Sequence, residues 1–328
     1  MSLRVAPAGR LGADEVISVL RAATLAPSTH NTQPWLFTSG AGGIELYADA
    51  DRVLPVADAD RRELLLSCGA ALFNLRTAIH ALGVRPDTTI FPRREDSDLL
   101  AVVRPRNAVA LDHRLVRLAK AIPRRSTNRT PFGGGAVPPE VVGLLRRAAE
   151  AEQAWLPRLD DDQLTGLREL VSESHLVQAR DPAFRAEWRR WTRRARAARD
   201  GVPYSAGGTA APDDSWVLRD FDDPAERAPA PAPPLVVVIG SFGDSPADRL
   251  RAGQAMQRVL LTATAHGLDA SFISRPVEVR ATRIRLRKLL GDGLWPQIVL
   301  RIGYGSPVAW TPRRALADVL LERPSLTA

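Results

Sequence analysis

Two short stretches of this 328-residue chain carry residue types suited to gripping a flat anionic ligand, and they stand almost a hundred positions apart. The first is Pro27-Ser28-Thr29-His30-Asn31-Thr32-Gln33-Pro34-Trp35. Its prolines fix φ, its short hydroxyl and amide groups can hydrogen-bond a planar heterocycle, and Trp35 offers a large group to bury. The second is Arg124-Arg125-Ser126-Thr127-Asn128-Arg129, whose guanidinium, hydroxyl and amide groups suit a phosphate or another compact dianion. One stretch for a ring and another for a phosphate imply a nucleotide-like cofactor. Plainer readings stand beside these. Gln33, Pro34 and Trp35 also read as the opening of a buried strand with Trp35 in the core. His30 suits a proton donor or a hydrogen-bonded structural histidine equally well.

The elements that position these stretches show a repeat. Glu15-Val16-Ile17-Ser18-Val19-Leu20-Arg21 resembles Glu140-Val141-Val142-Gly143-Leu144-Leu145-Arg146, and Gly69 through Gly83 resembles Gly253 through Gly267. All four segments read as amphipathic helices, the second pair closed by a C-terminal glycine. The first pair is offset by 125 positions and the second by 184, so the repeat predicts duplication of one unit with an insertion in the second copy. The halves are expected at 1–115 and 116–328, with the insertion at about 170–234. The insertion opens on a predicted helix, Phe184 to Arg194, and runs into a stiff Ala-Pro connector, Ala228 to Pro234. Trp188 and Trp191, three residues apart, are candidates to cover a flat ligand as a lid, or to pack onto the body of the protein.

Leu235–Gly240 and Gln297–Gly303 are short β-branched runs closed by glycine, and Gly43–Ala48 alternates. Helices lie between them and no Gly-x-Gly-x-x-Gly follows an early strand, so the expected class is α+β with mixed, mainly antiparallel sheets.

Composition narrows the function classes. With 45% apolar residues the chain buries a core, and its one cysteine, Cys68, leaves no internal disulfide and no multi-cysteine metal site. Cys68 is expected as a small buried apolar residue at the opening of a helix, and no metal site is expected. The formal charge of +8 is almost wholly arginine. The arginines are spread out and often stand beside acids, as between Asp58 and Glu63, which implies a general surface role and no nucleic-acid partner. No signal-peptide core and no run of ~18 apolar residues is found, so a cytoplasmic protein without membrane attachment is expected.

The Pro-Ser-x-x-Asn-x-Gln-Pro-Trp stretch, the Arg-Arg-Ser cluster and the closing Arg301-Ile302-Gly303-Tyr304-Gly305 with Thr311-Pro312-Arg313-Arg314 resemble the nitroreductase superfamily, and more narrowly its duplicated Acg-type FMN-binding proteins. The likeness runs from about Ala13 to Arg314. It implies a nitroreductase-like fold duplicated within one chain, a pseudo-dimer, in which the Pro-Ser stretch of one half and the Arg-Arg-Ser stretch of the other complete a single FMN site. Arg124, Arg125 and one of Arg313 or Arg314 are then expected at the phosphate, Ser126 and Asn128 at the phosphate and ribityl hydroxyls, and Arg124 at the pyrimidine side as well. Pro27, Ser28, Thr29 and Asn31 are expected along the ring, and Phe272, Ile273, Ser274 and Arg275 at its N5 edge. Thr311 to Arg314 also reads as a plain helix start.

The resemblance implies hydride transfer from a transient NAD(P)H donor through FMN to a nitroaromatic, quinone or similar small-molecule acceptor. The rival expectation is a protein that sequesters FMN beneath a closed lid. Either suits a monomer or a weak homo-oligomer.

Overall fold

The computed structural model describes residues 5–93, 95–133, 135–194, 198–203, 234–308 and 310–321. Two antiparallel sheets lie on either side of a pair of long helices. The first sheet is built from β1 (Trp35–Gly40), β2 (Gly43–Ala48), β3 (Val84–Ile90) and β4 (Leu99–Ala108), in the order β1-β2-β4-β3. β2 forms where its alternation predicts a strand, but it is covered on both faces, with Glu45 buried as well as Ile44 and Leu46. In the second sheet β7 (Leu235–Ser241), β9 (Trp295–Gly303) and β8 (Asp269–Phe272) are ordered β7-β9-β8. Residues 155–159 add to the free edge of β7, through Trp155 with Gly240 and Arg158 with Val237. With that edge included, the second sheet repeats the strand order of the first. The expected α+β class is observed.

Helices α1 (Ala13–Thr24) and α2 (Arg62–Ala81) serve the first sheet, and α4 (Pro139–Glu150) and α7 (Pro246–Ala265) serve the second; α3 (His113–Ala121) joins the halves. α1 and α4 are each 12 residues long, α2 and α7 each 20. Gly83 (φ +74°) and Gly267 (φ +75°) end the longer pair in the left-handed conformation that a glycine adopts without a Cβ clash. α2 is apolar nearly all round, long and apolar enough to cross a bilayer by length and composition, yet most of it is buried inside the protein. Cys68 lies in its second turn, not at its opening, buried with Sγ at Pro34 O.

α2 and α7 cross at the two glycines that the repeat aligns. A Cβ on Gly69 would stand 2.2 Å from Leu250 O, and one on Gly253 would stand 2.2 Å from Leu66 O. The reciprocity is that of a two-fold axis through the crossing. The main core, including Leu72, Val237, Leu260 and Leu300, surrounds it.

Between residues 155–159 and β7 come α5 (Asp161–Arg180), α6 (Pro182–Trp191), and the short pair β5 (Thr192–Arg194) and β6 (Val202–Pro203). The helix predicted over 184–194 thus ends at Trp191, and α5, which precedes it, starts about ten residues before the expected insertion boundary at 170. The Ala-Pro run up to Pro233 lies outside the described residues. α5 packs with α8 (Arg275–Glu278) and α9 (Arg280–Leu289) on the far face of the second sheet. The segment after β9 returns to the first sheet, where Leu321 N donates to Phe37 O.

Candidate functional site

A cleft of about 1360 Å³, open mouth included, lies between the halves. Its floor follows β9 from Gln297 to Arg301, about 13 Å at the ordinary rise per residue. Beside it run Ser271 (opposite Arg301) and Phe272 (opposite Leu300), followed by Ile273, whose N–H donates to Val299 O. Pro27, Ser28, Thr29 and Asn31 of the first half line it as well. The turn that carries them is unusual backbone: among the described residues His30, Asn31 and Gln33 have φ of +50°, +54° and +51°. Non-glycine residues reach that region only when their surroundings hold them there. Here Ser28 Oγ accepts from Gln33 N, and Gln33, itself fully buried, accepts from Arg314 N at Oε1.

The cleft has a basic end and an acidic end. At the Arg301 end stand Arg125, Arg129 and Arg313. Arg125 is buried, its one side-chain hydrogen bond among the described residues is a long one to Thr127 Oγ1 (3.4 Å), and its Nε has no partner. Burial, with repulsion from Arg313 and Arg129, pulls its guanidinium down to about 9, so it stays charged at neutral pH. Burial likewise pulls Arg313 down to about 10. A buried cation without a carboxylate partner is costly, and an anion drawn into the cleft would offset that cost.

At the Gln297 end stands Glu63, in the first turn of α2. It accepts from Thr29 Oγ1 at 2.8 Å and pairs with Arg62, which donates to Gln297 O and Val277 O of the second half. The stretch from Asp58 to Glu63, read from sequence as surface charge, is therefore partly core: Asp58, Arg62 and Glu63 are all buried. Asp58 accepts from the N–H groups of Glu63 and Leu64 and so caps α2. Burial, reinforced by the Glu63 charge, pushes its carboxyl up from 3.8 to about 7. The folded state therefore holds this proton more tightly than the unfolded chain. The stability that follows is fully present below pH ~4 and is lost as pH rises towards 7. Asp58→Asn is expected to flatten that part of the stability-versus-pH curve, measured by urea titration at pH 4 to 8.

Of the residues singled out in the sequence, Pro27, Ser28, Thr29, Asn31, Arg125, Phe272, Ile273, Ser274, Arg275 and Arg313 come together around this one cleft. Others do not. Arg124 is exposed on a 3-10 turn, with Nε donating to Lys120 O, because the turn aims neighbouring arginines in different directions. Ser126 is half-buried beside the wall without joining it. Asn128 is fully buried and satisfied by Asp269, Ser306 O and Thr130. Arg314 is occupied by Asp49, Gln33 O and Asp318 O. Thr311 to Arg314 form no helix; Thr311 and Arg313 reach the cleft instead. Trp188 and Trp191 lie outside the wall, and Trp191 is buried with the Arg52 guanidinium 5.8 Å from its ring. Among the described residues, the insertion meets the cleft through two smaller ones, Val171 and Val202.

Sequence reasoning did not assign Glu63, Arg129 and Arg301 to the site. Arg129 closes the Arg-Arg-Ser stretch and Arg301 opens the Arg-Ile-Gly run, so both had a local signal. Glu63 had none, since only the tertiary contact with Thr29 brings it to the cleft.

A search of protein-family profiles finds no match. The chain is 33% identical over 317 residues to the Mycobacterium tuberculosis protein named "Putative NAD(P)H nitroreductase Rv3131", covering 94% of this chain and 91% of that one. It is 32% identical over 320 residues to "Putative NAD(P)H nitroreductase acg" of the same organism, covering 93% and 95%. The chain belongs to the nitroreductase superfamily and, within it, to the Acg type. Among solved structures, the FMN-dependent nitroreductase NfnB of Mycobacterium smegmatis, crystallised with NADPH, matches with a TM-score of 0.41 at 16% identity, over 64% of this chain and 100% of that one. A nitroreductase-like protein of Bacillus cereus matches with a TM-score of 0.38 at 16% identity, over 63% and 96%. Overlaps of that size are too partial to define a fold.

Proposed function

We propose that the cleft holds one FMN per chain and that the protein is an FMN-dependent oxidoreductase, passing hydride from a reduced nicotinamide to a small oxidised acceptor such as a nitroaromatic or quinone. The observation that carries the reading is the buried, carboxylate-free Arg125 beside Arg129 and Arg313, at one end of a cleft long enough for a three-ring heterocycle. FMN fits this donor set: a phosphate would complete the hydrogen bonding of Arg125 by charge-assisted bonds. Its ring would lie towards Gln297, between Pro27 to Thr29 of one half and Phe272 to Arg275 of the other. When bound, FMN supplies the two-electron chemistry. The residues of the chain supply position, the positive field at the phosphate and the exclusion of water by Val171, Val202 and Ile273.

The matching strand order and the Gly69–Gly253 crossing support a duplicated unit, with halves 1–115 and 116–328. In this reading one chain completes the site without a partner.

The test is anaerobic mixing of the FMN-loaded protein with NADPH or NADH, followed at the flavin absorption band. Bleaching within seconds supports turnover. A second reading, retention of FMN without turnover, is favoured by the grip of the insertion on the first half. Glu187 accepts from Val56 N and Ala57 N, Asp200 pairs with Arg52, and Arg199 O accepts from Gln33. Bleaching by dithionite but by neither nicotinamide would select that reading.

A further inference from the structure

We infer that Asn31 is a positioning residue which couples anion occupancy at the arginine end of the cleft to the order of residues 199–203 in its wall. The inference rests on the FMN reading for its ligand. It rests on the hydrogen bonds of Asn31 for its mechanism.

Every polar group of the Asn31 side chain is committed, to three partners on two distant parts of the chain, Gly201 and the adjacent pair Pro312-Arg313. Its Oδ1 accepts from Arg313 Nη1 at 3.2 Å; its Nδ2 donates to Gly201 O and to Pro312 O, each at 3.0 Å. Its backbone O also accepts from Gly201 N at 3.2 Å, so Asn31 and Gly201 are bonded in both directions. The next residue, Val202, lines the cleft. On the other side, Arg313 lines the cleft beside Arg125 and, besides its bond to Asn31 Oδ1, is aimed by backbone carbonyls: Thr24 O and Leu25 O at the end of α1, and Thr311 O and Pro312 O. The Asn31 side chain is thus bonded both to a cationic wall residue, Arg313, and to the insertion segment that carries Val202. Its left-handed backbone holds it at that junction at a conformational cost.

An anion bound among Arg125, Arg129 and Arg313 restrains the Arg313 guanidinium. That restrains the Asn31 amide, and with it both bonds to Gly201. Linkage makes the effect reciprocal, so whatever factor the anion contributes to holding the segment, the segment contributes to holding the anion.

The experiment uses the full chain, stripped of FMN, with hydrogen exchange of peptides covering 198–203 followed by mass spectrometry. It is run without addition, with saturating FMN and, separately, with inorganic phosphate. In the wild type, FMN is expected to slow exchange at 199–203 by tenfold or more, and phosphate to slow it in the same direction. In Asn31→Ala, exchange in this segment is expected to be fast in all three conditions and the Kd for FMN to rise tenfold or more. The melting temperature of each protein shows that it is folded. If the wild type shows equal exchange with and without both anions, or if folded Asn31→Ala keeps the FMN affinity and the anion-dependent protection, the inference is overturned. Protection by phosphate in a chain that does not take up FMN would sink the FMN reading and leave the coupling standing. A change in melting temperature with the anion-dependent protection intact would reduce Asn31 to a structural residue.

Discussion

Arg125→Met is expected to release FMN and, at the same time, to raise the melting temperature of the FMN-free protein. Both halves of this result follow from one fact, that Arg125 is a buried cation whose only side-chain hydrogen bond among the described residues is to a neutral hydroxyl. Hydrogen bonds to charged groups contribute about 1.5–3 kcal/mol each, so losing one or two of them from a phosphate should raise the Kd for FMN by roughly 10- to 10,000-fold. In the apo protein the same guanidinium meets only the charges of Arg313 and Arg129. Methionine fills a similar volume without a charge to desolvate, and the apo protein should melt a few degrees higher. Fluorescence titration of FMN and calorimetry of both apo proteins measure the two effects. Arg124→Ala, one residue away but exposed, is expected to leave both unchanged. If Arg125→Met kept its FMN, the phosphate end of the proposed site would be misplaced.

Gly253→Ala is expected to be among the most damaging single-methyl additions available to this chain. In an ordinary helix the change is favourable by about 1 kcal/mol. Here the new Cβ would lie 2.2 Å from Leu66 O and 2.8 Å from Leu66 C and Cα, and backbone atoms of a buried helix have nowhere to go. α2 and α7 would have to part by roughly an ångström along a contact that anchors the main core, which should cost about 3 kcal/mol or more. Gly69→Ala should behave alike, since its Cβ meets Leu250 O at the same distance. Gly143→Ala in α4, where the nearest atom is the flexible end of Arg147 at 3.5 Å, is the control and should stabilise slightly. Urea unfolding of the three variants decides the matter: similar midpoints for all three would mean that the crossing is looser than described.

How far the sequence could be read depended on how local each signal was. The aligned helices came through because periodicity and a closing glycine are properties of neighbouring residues, and their offsets of 125 and 184 survive as pairs of helices of equal length. The strands at Gly43, Leu235 and Gln297 were legible for the same reason. The aim of individual side chains was not. Arg124 and Arg125 are adjacent in the same motif, yet one faces solvent and the other the cleft, because the turn between α3 and the Arg-Arg-Ser stretch sets their directions. Trp188 and Trp191 look like a lid by size, but among the described residues of the insertion it is Val171 and Val202 that line the cleft.

By itself, then, the sequence determined the α+β class, the pairs of aligned helices, and which short stretches carry groups suited to a ring and a phosphate. Tertiary structure alone decided which members of those stretches face the cleft, that Asp58 and Glu63 lie inside instead of on the surface, and that Asn31 joins three segments. The physical reason is that burial and hydrogen-bond partnership are contracted between residues far apart in the chain. Asn31 meets Gly201 and Arg313 across 170 and 282 positions of chain, contacts that no local pattern around Asn31 announces.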